Sequence, residues 1–202
     1  LPVNIRTEEG NRYRIRAGGG YQSEEGARGQ AEFTDLNFFG RGRRLTWKVT
    51  GAEFHRLTEI RLFWPHTPIN WTDLTLAPRW EWRADPAVTK EIRSGKTTFS
   101  ATPGENVTVA LSNDAGIEIA DPKAPDSLTT RYTRSVESFA IGWDTRDHPL
   151  MPRRGHFLGM TLSESGALYG AHYRWWKSIW QARVLVAFGR LWTAAGKTEL
   201  DF

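Results

Sequence analysis

Trp71-Thr72-Asp73-Leu74-Thr75-Leu76-Ala77-Pro78-Arg79-Trp80-Glu81-Trp82-Arg83 changes character at nearly every second residue. Leu74, Leu76, Trp80 and Trp82 share one parity, while Asp73, Thr75, Arg79, Glu81 and Arg83 share the other. Successive side chains of a strand point to opposite faces, so this period of two sets an apolar face against a charged one. Soluble strands have a mode near 5–6 residues, whereas a tilted strand needs about 9–11 to cross a bilayer. The quoted stretch fits the second length. Pro78 is its one discordant residue, because proline cannot donate to a ladder.

The same alternation extends in both directions. Toward the N-terminus, Tyr13, Ile15, Ala17 and Tyr21 oppose Arg12, Arg14 and Arg16, and Ala27, Ala31 and Phe33 oppose Arg28, Gln30 and Glu32. Leu45, Trp47 and Val49 oppose Arg44, Thr46 and Lys48, and Ile60, Leu62 and Trp64 oppose Glu59 and Arg61. Toward the C-terminus, single parities hold Val107, Val109, Leu111, Ile117 and Ile119, then Phe139, Ile141 and Trp143, then Leu158, Met160 and Leu162. Tyr169, Tyr173 and Trp175 read as a tenth segment, and Val184, Val186 and Phe188 as an eleventh. Val88 to Ser100 is the poorest, with only Val88 and Ile92 against Glu91 and Arg93. Aromatics gather at segment ends, as lipid-headgroup girdles require. A soluble β-sandwich or lipocalin-like barrel, with one face as core, shares the alternation and remains open at this point.

Turn chemistry separates the segments. The turns fall at Ser23 to Gly26, Leu36 to Arg43, Phe54 to Arg56, Pro65 to Asn70, Ala84 to Pro86 and Thr102 to Glu105. Asp121 to Asp126, Arg146 to Gly155, Ser163 to Gly166 and Lys177 to Ile179 complete the set, the last alone without residues suited to turn geometry.

Composition narrows the classes. Hydrophobic residues make up 39%, charged residues 25%, and there are 10 Trp. That much Trp suits a membrane interface, yet no apolar run approaches the ~20 residues of a spanning helix. The net charge of +4 is scattered over segments and turns, which argues against nucleic acid as a partner. With no cysteine there is neither a disulfide framework nor a thiolate metal site. No charged-then-apolar leader precedes Leu1, so the sequence reads as starting inside a longer chain.

Candidate chemistry is sparse. Histidines at 55, 66, 148, 156 and 172 show no ligand spacing, so no metal or other cofactor is expected. Asp144 and Asp147 could act as paired carboxylates, but beside Arg146 and Arg154 they read better as strand caps that tie down a turn. Gly18-Gly19-Gly20 lacks the Lys-Ser/Thr of a phosphate loop. No enzyme activity is expected.

Two turns carry a resemblance. Gly20-Tyr21-Gln22-Ser23-Glu24-Glu25-Gly26 is followed by Asn37-Phe38-Phe39-Gly40-Arg41-Gly42. Gly142-Trp143-Asp144-Thr145-Arg146-Asp147-His148-Pro149-Leu150 is followed by Pro152-Arg153-Arg154-Gly155, with Arg153 in place of the usual Thr. In wording, order and separation these stretches resemble the bacterial surface antigen family, the BamA/TamA-type outer-membrane assembly factors. The resemblance implies an all-β, transmembrane antiparallel barrel, incomplete here, with about eleven of roughly sixteen strands. Residues 1–10 would end a linker from a periplasmic domain, and 11–202 would be the N-terminal two thirds of the barrel. Leu191 to Phe202 would approach the sixth external loop. If the first strand runs outward, the second and eighth turns, which hold Asn37, Phe39, Gly40, Arg41 and Gly42 and then Asp144, Arg146, Asp147, Pro152, Arg154 and Gly155, both face the periplasm.

The implied function is outer-membrane protein insertion, or autotransporter translocation, through a lateral gate. Glycine in a strand interior weakens its ladder, so Tyr13, Ile15, Ala17, Gly18, Gly19, Gly20 and Tyr21 are the expected gating and client-binding edge. Relief of crowding in a bent strand would explain the glycines equally well. Implied partners are outer-membrane lipid or lipopolysaccharide, unfolded outer-membrane protein or autotransporter clients, and periplasmic or inner-membrane subunits. Compact external turns favour a TamA-like over a BamA-like member. A passive porin or channel is the alternative, and a soluble β-barrel binding protein a third.

Overall fold

The computed structural model describes residues 10–23, 26–124, 128–148, 150–166, 170–188 and 192–201. The expected linker at 1–9 lies outside the described residues, as do Glu24, Glu25, Asp126, Pro149, Tyr169 and Leu191.

Eleven strands form one antiparallel sheet in strict sequence order. They are β1 (Tyr13–Gln22), β2 (Gly26–Asp35), β3 (Arg44–Ala52), β4 (His55–Pro65), β5 (Thr72–Ala84) and β6 (Val88–Gly104). There follow β7 (Val107–Pro122), β8 (Thr130–Asp144), β9 (Gly155–Ser165), β10 (Trp175–Phe188) and β11 (Trp192–Asp201). Each strand pairs only with its chain neighbours, and β1 and β11 are the two edges, so the sheet is an unclosed barrel wall.

The register carries the alternation from strand to strand, since directly opposed residues share a face. Ile15 faces Phe33, Phe33 faces Trp47, and Trp47 faces Ile60. Leu74 faces Phe99, Phe99 faces Leu111, Leu111 faces Phe139 and Phe139 faces Leu162. These apolar side chains point away from protein: Ile15 is 77% exposed and Leu111 57%. Ala77 is the one buried apolar residue among the described residues. A soluble barrel would bury its apolar face as a core. This sheet turns that face outward, where only hydrocarbon can cover it.

Pro78 is accommodated by the ladder. Pairing of β4 with β5 runs from His55↔Arg83 to Glu59↔Arg79 and resumes in the same register at Leu62↔Leu76. Pro78 sits in that interruption, and its other neighbour, Gly95, stays in register.

Two strand assignments differ from the sequence reading. Lys177 to Ile179 is no turn: Lys177 pairs with Ser163 and Ile179 with Thr161 inside the 14-residue β10. The stretch holds no Gly, Pro, Asn or Asp to bend it. Tyr173 lies in the preceding turn, where Ser165 Oγ donates to its carbonyl at 3.1 Å. Leu191 and Phe202 lie outside the described residues, and residues 192–201, read as the approach to a loop, form a further strand, β11, against β10. Its small residues, such as Ala194, Ala195 and Gly196, leave no apolar alternation to read. The poorly patterned Val88 segment is the longest strand, β6, with 17 residues.

Candidate functional site

β1 lies along one edge of the sheet, antiparallel to β2, with Tyr13 opposite Asp35 and Gln22 opposite Gly26. Its three glycines stand opposite Gln30, Gly29 and Arg28. The pair Gly19↔Gly29 continues as Gly29↔Gly51, so one row across β1, β2 and β3 has no side chain at all. Ala17↔Ala31 and Tyr21↔Ala27 flank it on the same face.

Crowding by neighbours within this chain does not explain these glycines. A Cβ at Gly18 would come no closer than 3.5 Å to Gln30, one at Gly19 3.6 Å to the Arg28 carbonyl, and one at Gly20 3.7 Å to Arg28 Nε. All three are ordinary contacts. What their absence removes is cross-strand side-chain packing, the unit of sheet stability.

The turn at 36–43 closes β2 onto β3 through four consecutive left-handed residues: Phe39 (φ 53°), Gly40 (74°), Arg41 (60°) and Gly42 (68°). Such a run is unfavourable for L-residues, by about 1–2 kcal/mol for each non-glycine. Polar contacts hold it. Asn37 Oδ1 accepts from Gly42 N at 3.1 Å, and Phe38 N donates to the Arg43 carbonyl at 2.8 Å. Asp35 Oδ1 accepts from Asn37 N at 3.0 Å, while the same carboxylate receives Nε and Nη2 of Arg12, both at 2.8 Å. Arg12 precedes β1, so this pair fastens the turn to the base of the edge strand. Phe39 is left 80% exposed at its tip.

The turn at 145–154 is held by two carboxylates. Asp144 accepts from the backbone N (3.1 Å), Nε (2.8 Å) and Nη2 (2.6 Å) of Arg146, whose guanidinium lies over the Phe157 ring. Asp147 Oδ1 accepts from Arg153 N at 2.8 Å and Arg154 N at 3.2 Å, and these backbone donors hold its carboxyl below the usual carboxylate range. Thr145 and His156 bond reciprocally through Thr145 Oγ1. Gly155 adopts φ 107°, and a Cβ there would lie 2.4 Å from the Thr145 carbonyl oxygen. Only glycine fits. Pro152 is half-buried in this turn. The capping reading of Asp144 and Asp147 is therefore what the geometry supports, and neither is placed for acid–base work.

In a meander all even-numbered turns lie at one end of the sheet, so the second and eighth turns share an end. They do not form one cluster: the second turn joins β2 to β3, and neither strand touches β8 or β9, which the eighth turn joins. Among the described residues no group of three metal-ligating side chains comes together.

A family model described as the Omp85 superfamily domain matches residues 9–202, with both turns and all eleven strands inside the match. The chain belongs to the Omp85 superfamily. Among solved structures, this Omp85 chain is similar to the crystal structure of BamA from Haemophilus ducreyi lacking POTRA domains 1-3, with a TM-score of 0.77 and 16% identity. The likeness covers 96% of this chain and 42% of that one, so the chain spans less than half of the BamA structure. At that identity it shows the fold, an open stretch of a BamA-type barrel. No curated relative matches the chain. Family and barrel place this Omp85 chain in the bacterial outer membrane.

Two features of the Omp85 sheet escape sequence reading. Gly29 and Gly51 join Gly19 only through register, which no local pattern carries. The Arg12–Asp35 link spans 23 residues and joins two segments that read as independent.

Proposed function

We propose that this chain is the gate-bearing part of an assembly factor that inserts β-barrel proteins into the outer membrane or translocates autotransporter segments. Client strands would add at the β1 edge. The observation that carries this reading is the glycine run of β1. Nothing around Gly18, Gly19 and Gly20 requires glycine, yet with Gly29 and Gly51 they leave the edge with little to pack against. A strand added there uses backbone groups, so such an edge accepts varied sequences. No covalent chemistry or nucleotide is involved, and client folding supplies the driving force. Domain 11–202 acts as barrel, residues 1–10 as its upstream linker, and lipopolysaccharide and periplasmic or inner-membrane subunits as its surroundings. The two signature turns act as fixed joints at the periplasmic end.

The test combines cross-linking with a strengthened edge. Photo-cross-linkers at positions across Tyr13–Gln22 of the full-length protein should capture a folding client, and those on β6 should not. Replacing Gly18, Gly19 and Gly20 by Ala together should stabilise β1 by about 1.5–3 kcal/mol, from roughly 0.5–1 per glycine. Client insertion into vesicles should then slow about tenfold. A fully folded triple variant inserting clients at the original rate, or β1 positions that never capture a client, would remove the gate reading.

A further inference from the structure

The lumen-side face of the edge strands is unbalanced in charge. Opposed residues place Arg14 and Arg16 of β1, Arg28 of β2, and Arg44 and Lys48 of β3 on that face. Glu32 is the one carboxylate among them, and it stands between Arg16 and Lys48 in register. Arg16 reaches it at 3.4 Å. Arg14 faces Thr34, Arg28 bonds Gln22 Oε1 at 3.1 Å, and Arg44 lies over the Phe63 ring. Farther along the sheet the same face is paired: Arg61 with Glu59, Arg83 with Glu81, Lys90 with Glu118, and Arg79 and Arg134 with Asp114. Lys96 and Arg183 lie on that face outside these pairs, so the excess is densest at the edge strands, where five cations meet one carboxylate.

Within this chain β2 is the partner of β1, and a strand taken up on the other side of β1 would meet Arg14 and Arg16. We propose that the strand taken up at β1 is an acidic one, carrying Asp or Glu at alternate, lumen-facing positions opposite Arg14 and Arg16. Its other parity, set beside Tyr13, Ile15 and Ala17, would be apolar and lipid-facing. Directly opposed unlike charges each favour pairing by a few tenths to about one kcal/mol. Two such pairs correspond to roughly a 2- to 30-fold preference over a neutral strand. Against a lysine-bearing strand the preference is larger, and salt weakens both. This rests on the reading of β1 as the edge that accepts client strands.

These 202 residues contain no cysteine, so Gly19→Cys in the full-length protein, with any cysteine elsewhere replaced by Ser, gives one reporter on the edge. The probes are ten-residue alternating peptides with an activated thiol and either Glu, Ser or Lys on the polar parity. With protein in neutral-lipid vesicles at low salt, the Glu peptide should form the mixed disulfide about tenfold faster than the Ser peptide, and the Lys peptide slowest. Arg14→Gln with Arg16→Gln should flatten the order, and Arg14→Glu with Arg16→Glu should reverse it. High salt should flatten it in the unsubstituted background, a check independent of whether those variants fold. Equal rates for the three peptides, or an order that survives Arg14→Gln with Arg16→Gln, would overturn the charge preference while leaving edge addition standing. Glu-peptide capture that is equally fast at Thr98→Cys on β6 would also overturn it, by showing diffuse attraction to the lumen. Capture of no peptide and of no folding client at Gly19→Cys would remove the edge reading itself.

Discussion

Replacement of Gly155 by Ala should be the most damaging single-methyl change in either signature turn. The residue sits at φ 107° with a virtual Cβ 2.4 Å from the Thr145 carbonyl oxygen and 2.8 Å from both Thr145 C and Arg146 Cα. All three are backbone atoms of the turn that Asp144 and Asp147 pin in place, so nothing flexible can yield. The left-handed backbone adds about 1–2 kcal/mol for a residue with a Cβ, and overpacking against a fixed neighbour about 1–3 kcal/mol. Gly155→Ala should therefore destabilise the barrel by roughly 2–5 kcal/mol. Gly40→Ala is the control: φ is 74° but no atom lies within 4 Å of its virtual Cβ, so only the backbone part, about 1–2 kcal/mol, applies. Gly19→Ala, with an allowed backbone and only an ordinary 3.6 Å contact to the Arg28 carbonyl, should be stabilising by about 0.5–1 kcal/mol. Urea unfolding in lipid vesicles, followed by Trp fluorescence and the gel shift of folded barrels, gives the three values by linear extrapolation. Equal losses at Gly155 and Gly40, or a Gly155 loss below about 1 kcal/mol, would refute the claim that backbone overlap governs this turn.

Other consequences follow from the same turns. Arg41→Gly should stabilise the second turn by about 0.5–1 kcal/mol net, because left-handed strain is relieved while unfolded-chain entropy rises; urea midpoints measure it. Asp147 has a depressed carboxyl pKa, so the stability it contributes is present above the ordinary aspartate range and disappears as pH falls through its lower folded value. Asp147→Asn should flatten the acid limb of stability against pH without moving its alkaline side. A double-mutant cycle on Arg12 and Asp35 should show favourable coupling that high salt only partly screens, because the Asp35 side chain is 8% exposed; zero coupling would mean that the turn is not anchored through this pair.

Much of the fold was legible because the barrel repeats one simple rule. Leu74, Leu76, Trp80 and Trp82 disclosed both the strand and the face that meets lipid. The residues around Asp144 and Gly155 disclosed a turn because its geometry admits so few alternatives. Legibility failed where the rule was diluted. Lys177-Ser178-Ile179 interrupts the apolar parity without any turn chemistry, and Ala194-Ala195-Gly196 offers too little side chain to alternate. Glu137 defeats the parity rule outright. It lies on the apolar face yet is buried, accepting from Asn113 Nδ2 of β7 at 2.8 Å and from Ser135 Oγ two residues back on β8, a small polar island that the alternation does not announce. The proposed edge site was half visible: the glycines of β1 were in the sequence, but their alignment with Gly29 and Gly51 belongs to the assembled sheet.

The row Gly19–Gly29–Gly51 has a mechanical meaning as well. A sheet resists folding across its strands through the side chains wedged above and below the backbone, and here three adjacent strands lack them on one face along one line. That line is a crease. Load applied to the outward ends of β1, β2 and β3 would bend them there first, as one flap with its ladder hydrogen bonds intact. On the gate reading proposed above, compliance of this kind would let the edge swing without melting, with the Arg12–Asp35 clasp holding its foot.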